Sequence, residues 1–167
     1  MRIPVIFLKD KQAFSSVGGR MRLLGKPIDV ARGLKEEGFV LIHITDMDAL
    51  KGQPTNLDVY DALTFFINVQ VECAPRDEIV KKLLSLKCRV VLPPDSPLGV
   101  SGYREKKLLV ARIPKGYGGD AEGFHDVILD EADPASVKRF ESLGKRIIIN
   151  ENDSEKVKNA WGTLISS

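Results

Sequence analysis

Short apolar runs that leave no polar face are the feature that most constrains this chain. IPVIFL, FVLIHIT, INVQVE, CRVVLP, KLLVARI, HDVILDEA and RIIIN follow one another at intervals too short for a large second domain between any two of them. Such runs are apolar on both sides, as strands covered by helices on one face and packed core on the other require. An antiparallel sheet with one wet face would alternate instead. Between the runs lie amphipathic segments near 28–38, 56–65, 76–87 and 134–143, with a closing one expected over 153–165. Pro27 and Asn56 stand where helices should start, and Gly38 where one should end in the left-handed conformation. The rhythm is that of parallel βα units, with seven strands and about five helices.

The chain has 167 residues, the size of one domain, so residues 1–167 are expected to form a single domain. With 25 basic and 23 acidic residues the formal charge is only +2, so neither a nucleic-acid nor a membrane partner is expected. The apolar opening MRIPVIFLKD is too short for a secretory signal, and a cytoplasmic location follows as an expectation. Cys73 and Cys88 have neither a redox nor a zinc spacing and read as buried, reduced thiols. No cofactor is expected. Four potential metal ligands at separate strand ends (His43, Asp46, Glu72, Asp130) lack any local ligand spacing, so no metal is expected either.

In parallel α/β folds ligands bind beyond the carboxyl ends of the strands, where loops and helix N-termini converge. This places Lys9 and Asp10 after the first strand at one mouth, with His43 and Asp46 at the second, Glu72 at the third and Asp130 at the sixth. His43 oriented by Asp46 is the candidate acid–base pair. Lys9, Asp10, Glu72 and Asp130 are candidate ligand contacts, together with Arg20 and Arg22 in the glycine-bearing segment SSVGGRMRLLGK, read as a phosphate-gripping loop.

Residues 3 to about 92 resemble the opening half of the histidine-biosynthesis (βα)8 barrels, the ribotide isomerase and the cyclase subunit of imidazole glycerol phosphate synthase. IPVIFLKDK, LIHITDMD, and NLDVYDAL followed by NVQVE carry the likeness. The resemblance implies a TIM-barrel-like α/β fold, here shortened or incomplete at about seven strands, and a small phosphorylated metabolite as ligand.

The departures from the family bear on chemistry. Its first-strand catalytic Asp is Phe7 here, and its partner acid on the fifth strand falls in LVARIP, at Arg112 or Ile113. Its phosphate-binding turn after VQV reads Glu72-Cys73-Ala74-Pro75, and the turn after the seventh strand reads NEND. The sequence therefore points to a non-catalytic relative that binds, regulates or assembles. The alternative is an isomerase or lyase of different chemistry built on His43 and Asp46. A sheet one strand short would leave its edges to be covered by a loop or by a second copy in a homo-oligomer.

Overall fold

Eight parallel strands close on themselves. In the computed structural model, which describes residues 1–97 and 99–167, the barrel is made of β1 (Arg2–Lys9), β4 (Leu41–Asp46), β5 (Asn68–Glu72), β6 (Arg89–Leu92), β7 (Leu109–Ile113), β8 (Asp126–Leu129), β9 (Arg146–Asn150) and β10 (Gly162–Ser166). β10 pairs with β9 on one side and with β1 on the other, where Arg2 to Val5 lie opposite Thr163 to Ser166. β2 (Gln12–Val17) and β3 (Arg20–Gly25) form an antiparallel hairpin that pairs with the last residues of β1, above the point where β10 ends.

The α/β barrel expected from the sequence is present, but two of its details change. The stretch read as a closing helix is a short turn, a loop and the eighth strand, so the barrel is complete and β1 and β9 have no open edges. Val157, Trp161 and Leu164 fit a helical period as well as a strand, and a run as short as GTLIS cannot separate the two by periodicity. What selects the strand is the gap in the barrel that only it can fill. Gly162 is suited to that gap, because a Cβ there would lie 2.7 Å from Ile3 Cδ1 and 3.4 Å from Ile148 Cγ1. The second change is that SSVGGRMRLLGK is mostly the β2–β3 hairpin rather than a loop, with Gly18 and Gly19 at positive φ forming its two-residue turn.

Among the described residues four helices cover part of the outside: α1 (Pro27–Glu36), α2 (Leu57–Leu63), α3 (Asp77–Ser85) and α4 (Pro134–Ser142). Pro27 opens α1 as expected, and Gly38, at φ 94°, follows its end. The β6–β7, β7–β8 and β9–β10 connections carry only short turns among the described residues. Val100, Ala121 and Phe124 from the first two of these loops are buried against the barrel wall in place of helices. Two apolar cores result. One lies between the outer faces of the strands and their covering; the other, with Ile3, Leu41, Val91, Val110, Ile128 and Ile148, lies inside the barrel. Cys73 and Cys88 are free and buried. No described helix is long and apolar enough to cross a membrane.

The turn between β1 and β2 is strained and latched. Asp10 and Lys11 both have positive φ, 46° and 60°, without being glycine. Their N–H groups donate to Asp48 Oδ2 and Asn56 Oδ1, each at 2.8 Å. Asn56 Nδ2 in turn donates to Asp46 and Asp48, so it ties the turn to the loop after β4. Asn56→Ala should lower the unfolding free energy by roughly 2 kcal/mol, since it leaves buried polar partners unmatched. It should also speed hydrogen exchange at the Lys11 amide. Urea denaturation and amide exchange read the two effects, and unchanged Lys11 protection would mean that the latch does not hold the hairpin.

Candidate functional site

Alternation along the strands sends residues of one parity into the barrel, and among these are several charged groups. At the carboxyl end, Arg112 on β7 lies between two carboxylates. Its Nη1 donates to Glu72 Oε2 at 3.1 Å and its Nε to Asp130 Oδ1 at 2.8 Å. Beneath Glu72 lies His43, 1% exposed, with Nε2 3.4 Å from Glu72 Oε2 and no hydrogen-bond partner of good geometry. Its Nδ1 is 2.9 Å from Gln70 Nε2, while Gln70 Oε1 accepts from Arg89 Nε. Because the amide oxygen is occupied by arginine, the amide nitrogen donates to His43 Nδ1, and the ring proton sits on Nε2, toward Glu72.

Below this lies a second ionic cluster. Asp126, with no exposure, accepts from Arg146 Nε and Nη2 at 2.7 and 2.8 Å and also from Arg89 Nη2; His125 Nδ1 is 2.8 Å from its Oδ1. Polar contacts thus run from Asp130 through Arg112, Glu72, His43, Gln70 and Arg89 to Asp126 and Arg146, all of them hydrogen bonds except the 3.4 Å approach of the neutral His43 ring to Glu72.

Electrostatics follow from these neighbours. Burial pushes the His43 pKa down, and nearby Arg112 and Arg89 add to that, outweighing Glu72, so the ring is neutral. Burial alone would raise the Glu72 pKa, but contacts with His43 and Arg112 hold it below the usual range. Asp126 is likewise held low against burial by Arg146 and Arg89.

Two hollows open at the mouth. One of about 410 Å³ is lined by Glu72, Arg112 and Asp130 with Leu50, Val91 and Pro93. The other, about 310 Å³, is lined by Phe7, Ser16, Asn150, Glu151 and Ser166. Phe7 is half-buried, opposite Thr45 of β4 and Phe14 of β2.

The candidate residues separate accordingly. His43, Glu72 and Asp130 come together. Asp46 does not join them, because it has the opposite strand parity: its carboxylate accepts from the Asp48 and Ala49 N–H groups, from Asn56 and from the Tyr60 hydroxyl, and makes no hydrogen bond to His43. The expected His43–Asp46 pairing gives way to His43–Glu72. Lys9 ends β1 and Asp10 lies in the β1–β2 turn, both exposed. Arg20 and Arg22 are exposed on β3, opposite Val17 and Ser15, hence on the hairpin face away from Phe7, Phe14 and Ser16.

Arg112, not Ile113, is the inward residue where the family's acid stands. Gln70, Arg89, Asp126 and Arg146 were not picked out from the sequence. Their signal was there, as polar residues two apart or at the starts of otherwise apolar strands. The turn after β5 keeps its amides for itself: Cys73 N–H donates to Val91 O, Ala74 N–H to Ala49 O and Arg76 N–H to Ala74 O, while Pro75 has none. Among the described residues no three His, Cys, Asp or Glu side chains are placed to hold a metal ion.

The neutral state of His43 sets a pH dependence. Its folded pKa is below the 6.5 of an unfolded histidine, so the unfolded chain takes up a proton first as pH falls. The His43 contribution is therefore whole above pH 6.5 and is lost progressively below it, down to the lower folded value. Urea denaturation should show stability declining from pH 7 toward pH 5, and His43→Gln should flatten that decline. An equally steep decline in the variant would assign it to other groups.

No protein-family model matches the chain. Individual relatives do. The phosphoribosyl-imidazole-4-carboxamide isomerase of Nitrosopumilus maritimus is 30% identical over 122 residues, which cover 69% of this chain and 49% of that protein. The isomerase of the same name from Methanocaldococcus jannaschii is 35% identical over 91 residues, covering 50% of this chain and 38% of its own. An uncharacterised protein of the latter organism is 27% identical over 122 residues, 65% of this chain and 54% of its own. The chain thus spans about half the length, or less, of these relatives. With the closed parallel barrel and the shared strand-end motifs, these likenesses make the chain a shortened, divergent relative of the histidine-biosynthesis (βα)8 barrels.

Proposed function

We propose that this barrel is a non-catalytic relative of the isomerases, binding a small ligand at its mouth without carrying out their sugar isomerisation. The observation that carries this reading is the pair Phe7 and Arg112. An aldose–ketose isomerisation moves a proton between two carbons and needs an acid and a base on opposite sides of the substrate, each contributing about 10²–10⁴-fold. A phenyl ring does neither, and a guanidinium ion-paired on both sides gives up no proton at neutral pH.

A diphosphorylated ribotide also lacks its anchors. The turn after β5 offers no free amide, Glu72 adds a negative charge there, and Glu151 stands at the turn after β9. The ligand-facing groups of this reading are Glu72, Arg112 and Asp130, in a hollow that Asp95 also lines and whose remaining wall is largely apolar. That excess of acid limits any phosphate to one, on a small ligand with an apolar body. Lys9, Asp10, Arg20 and Arg22 lie outside the contact set, and His43 senses the ligand only through Glu72. The reading of a different enzyme chemistry at His43 is disfavoured by the same burial, because a substrate cannot reach the ring.

Purified protein should give no turnover of the aminoaldose ribotide above the uncatalysed rate, and Phe7→Asp alone should not restore it, since the second acid and both phosphate turns are also altered. Measurable isomerisation by the unaltered chain would overturn the proposal. Small monophosphates titrated against the protein should shift the resonances of Glu72 and Asp130, followed indirectly by the His43 ring. Shifts confined to Arg20 and Arg22 would move the site to the hairpin.

A further inference from the structure

At the opposite end of the barrel, away from the mouth, a hollow of about 230 Å³ opens among Arg89, Arg146, Trp161, Leu41, Val69 and Leu108. Two guanidiniums here share one carboxylate, Asp126. The local cluster therefore carries one positive charge more than its own acid neutralises, and Lys87 lines the same hollow. Trp161 stacks on both arginines, with the Arg146 and Arg89 guanidinium carbons 4.1 and 5.1 Å from its ring centroid. This stacking fixes the planes of the two forks.

Each arginine uses Nε and Nη2 in its hydrogen bonds, and no hydrogen bond among the described residues engages Nη1 of either. Among the described residues the buried polar atoms left without a partner are His43 Nε2 and Ser96 Oγ, so neither Nη1 is sealed from solvent. Two pre-oriented donors with excess positive charge, beside an apolar wall, form the complement of a compact anion carrying a hydrocarbon body.

We propose that the amino-terminal end of the barrel binds a small organic acid, its carboxylate on Arg89 and Arg146 and its apolar body against Leu41, Val69, Leu108 and the Trp161 indole. The site is independent of the mouth: its charged groups belong to the lower cluster, and its opening is at the other end of the strands. Carboxylate is favoured over phosphate because Asp126 already takes part of the guanidinium charge and most of the remaining wall is apolar.

Trp161 is the only tryptophan, so its emission reports this site directly. Isovalerate should change that emission saturably at millimolar concentration, against sodium chloride at matched ionic strength. Inorganic phosphate should bind at least tenfold more weakly and isopentylamine not at all. Arg146→Gln should weaken isovalerate at least tenfold with the far-ultraviolet circular dichroism unchanged. If that variant fails to fold, Arg146→Lys, which keeps the charge but loses the fork, should still weaken binding several-fold. The proposal is overturned by an emission change no greater than that of sodium chloride, by phosphate or the amine binding as well as isovalerate, or by undiminished affinity in the Arg146 variant that folds.

Discussion

Three guanidiniums and three carboxylates share the inside of this barrel, and the rest of the structure depends on their mutual compensation. Arg89, Arg112 and Arg146 face Glu72, Asp126 and Asp130, and every one of them is bonded to at least one of the opposite sign. Charges withdrawn from water cost several kcal/mol each unless paired and hydrogen-bonded, and removing one partner strands the other. The balance holds over the whole interior but not at either end: the mouth has two acids on one arginine, and the base two arginines on one acid. Gln70 and neutral His43 join the two ends without adding charge. A barrel built this way presents opposite polarity at its two openings while remaining neutral along its axis.

The same arrangement ties the protonation of the mouth's carboxylates to their ion pairs. A carboxylate acting as general acid or base changes its protonation state during turnover, whereas Glu72 and Asp130 are paired with Arg112. Protonating Glu72 would release Arg112 from one of its two partners and remove the acceptor facing His43. The interactions that stabilise the interior therefore work against proton transfer. Arg112 adds cohesion by holding both carboxylates, and Phe7 adds apolar surface beside them.

Much of the fold was legible in the sequence. Doubly apolar runs, Pro27 at a helix start and Gly38 after a helix end located the βα units, because these signals act within a few residues. The eighth strand was not legible, since GTLIS is a strand only because β1 and β9 leave a gap of its width. The site was half legible. His43, Glu72 and Asp130 converge as strand-end reasoning expected, but Asp46 was assigned to the wrong side, although strand parity alone separates it from His43 by half a turn of the pleat. Closeness in sequence suggested a dyad where the pleat forbids one.

The stretch LIHITDMD thus serves two structures at once. His43 faces inward and links the charged layers; Asp46 faces outward and, with Asp48 and Asn56, holds the strained turn at Asp10 and Lys11. Burial pushes the Asp46 carboxyl up, and its four donors oppose that. The hairpin held by this latch brings Phe14 and Ser16 onto the face that Phe7 shares, where Ser16 lines the second hollow of the mouth. Interior charge and exterior latch are independent in their contacts yet fixed by neighbouring residues of one strand. The wall of the mouth is therefore positioned from the same strand whose His43 lies between the charged layers, and neither can shift along β4 without moving the other.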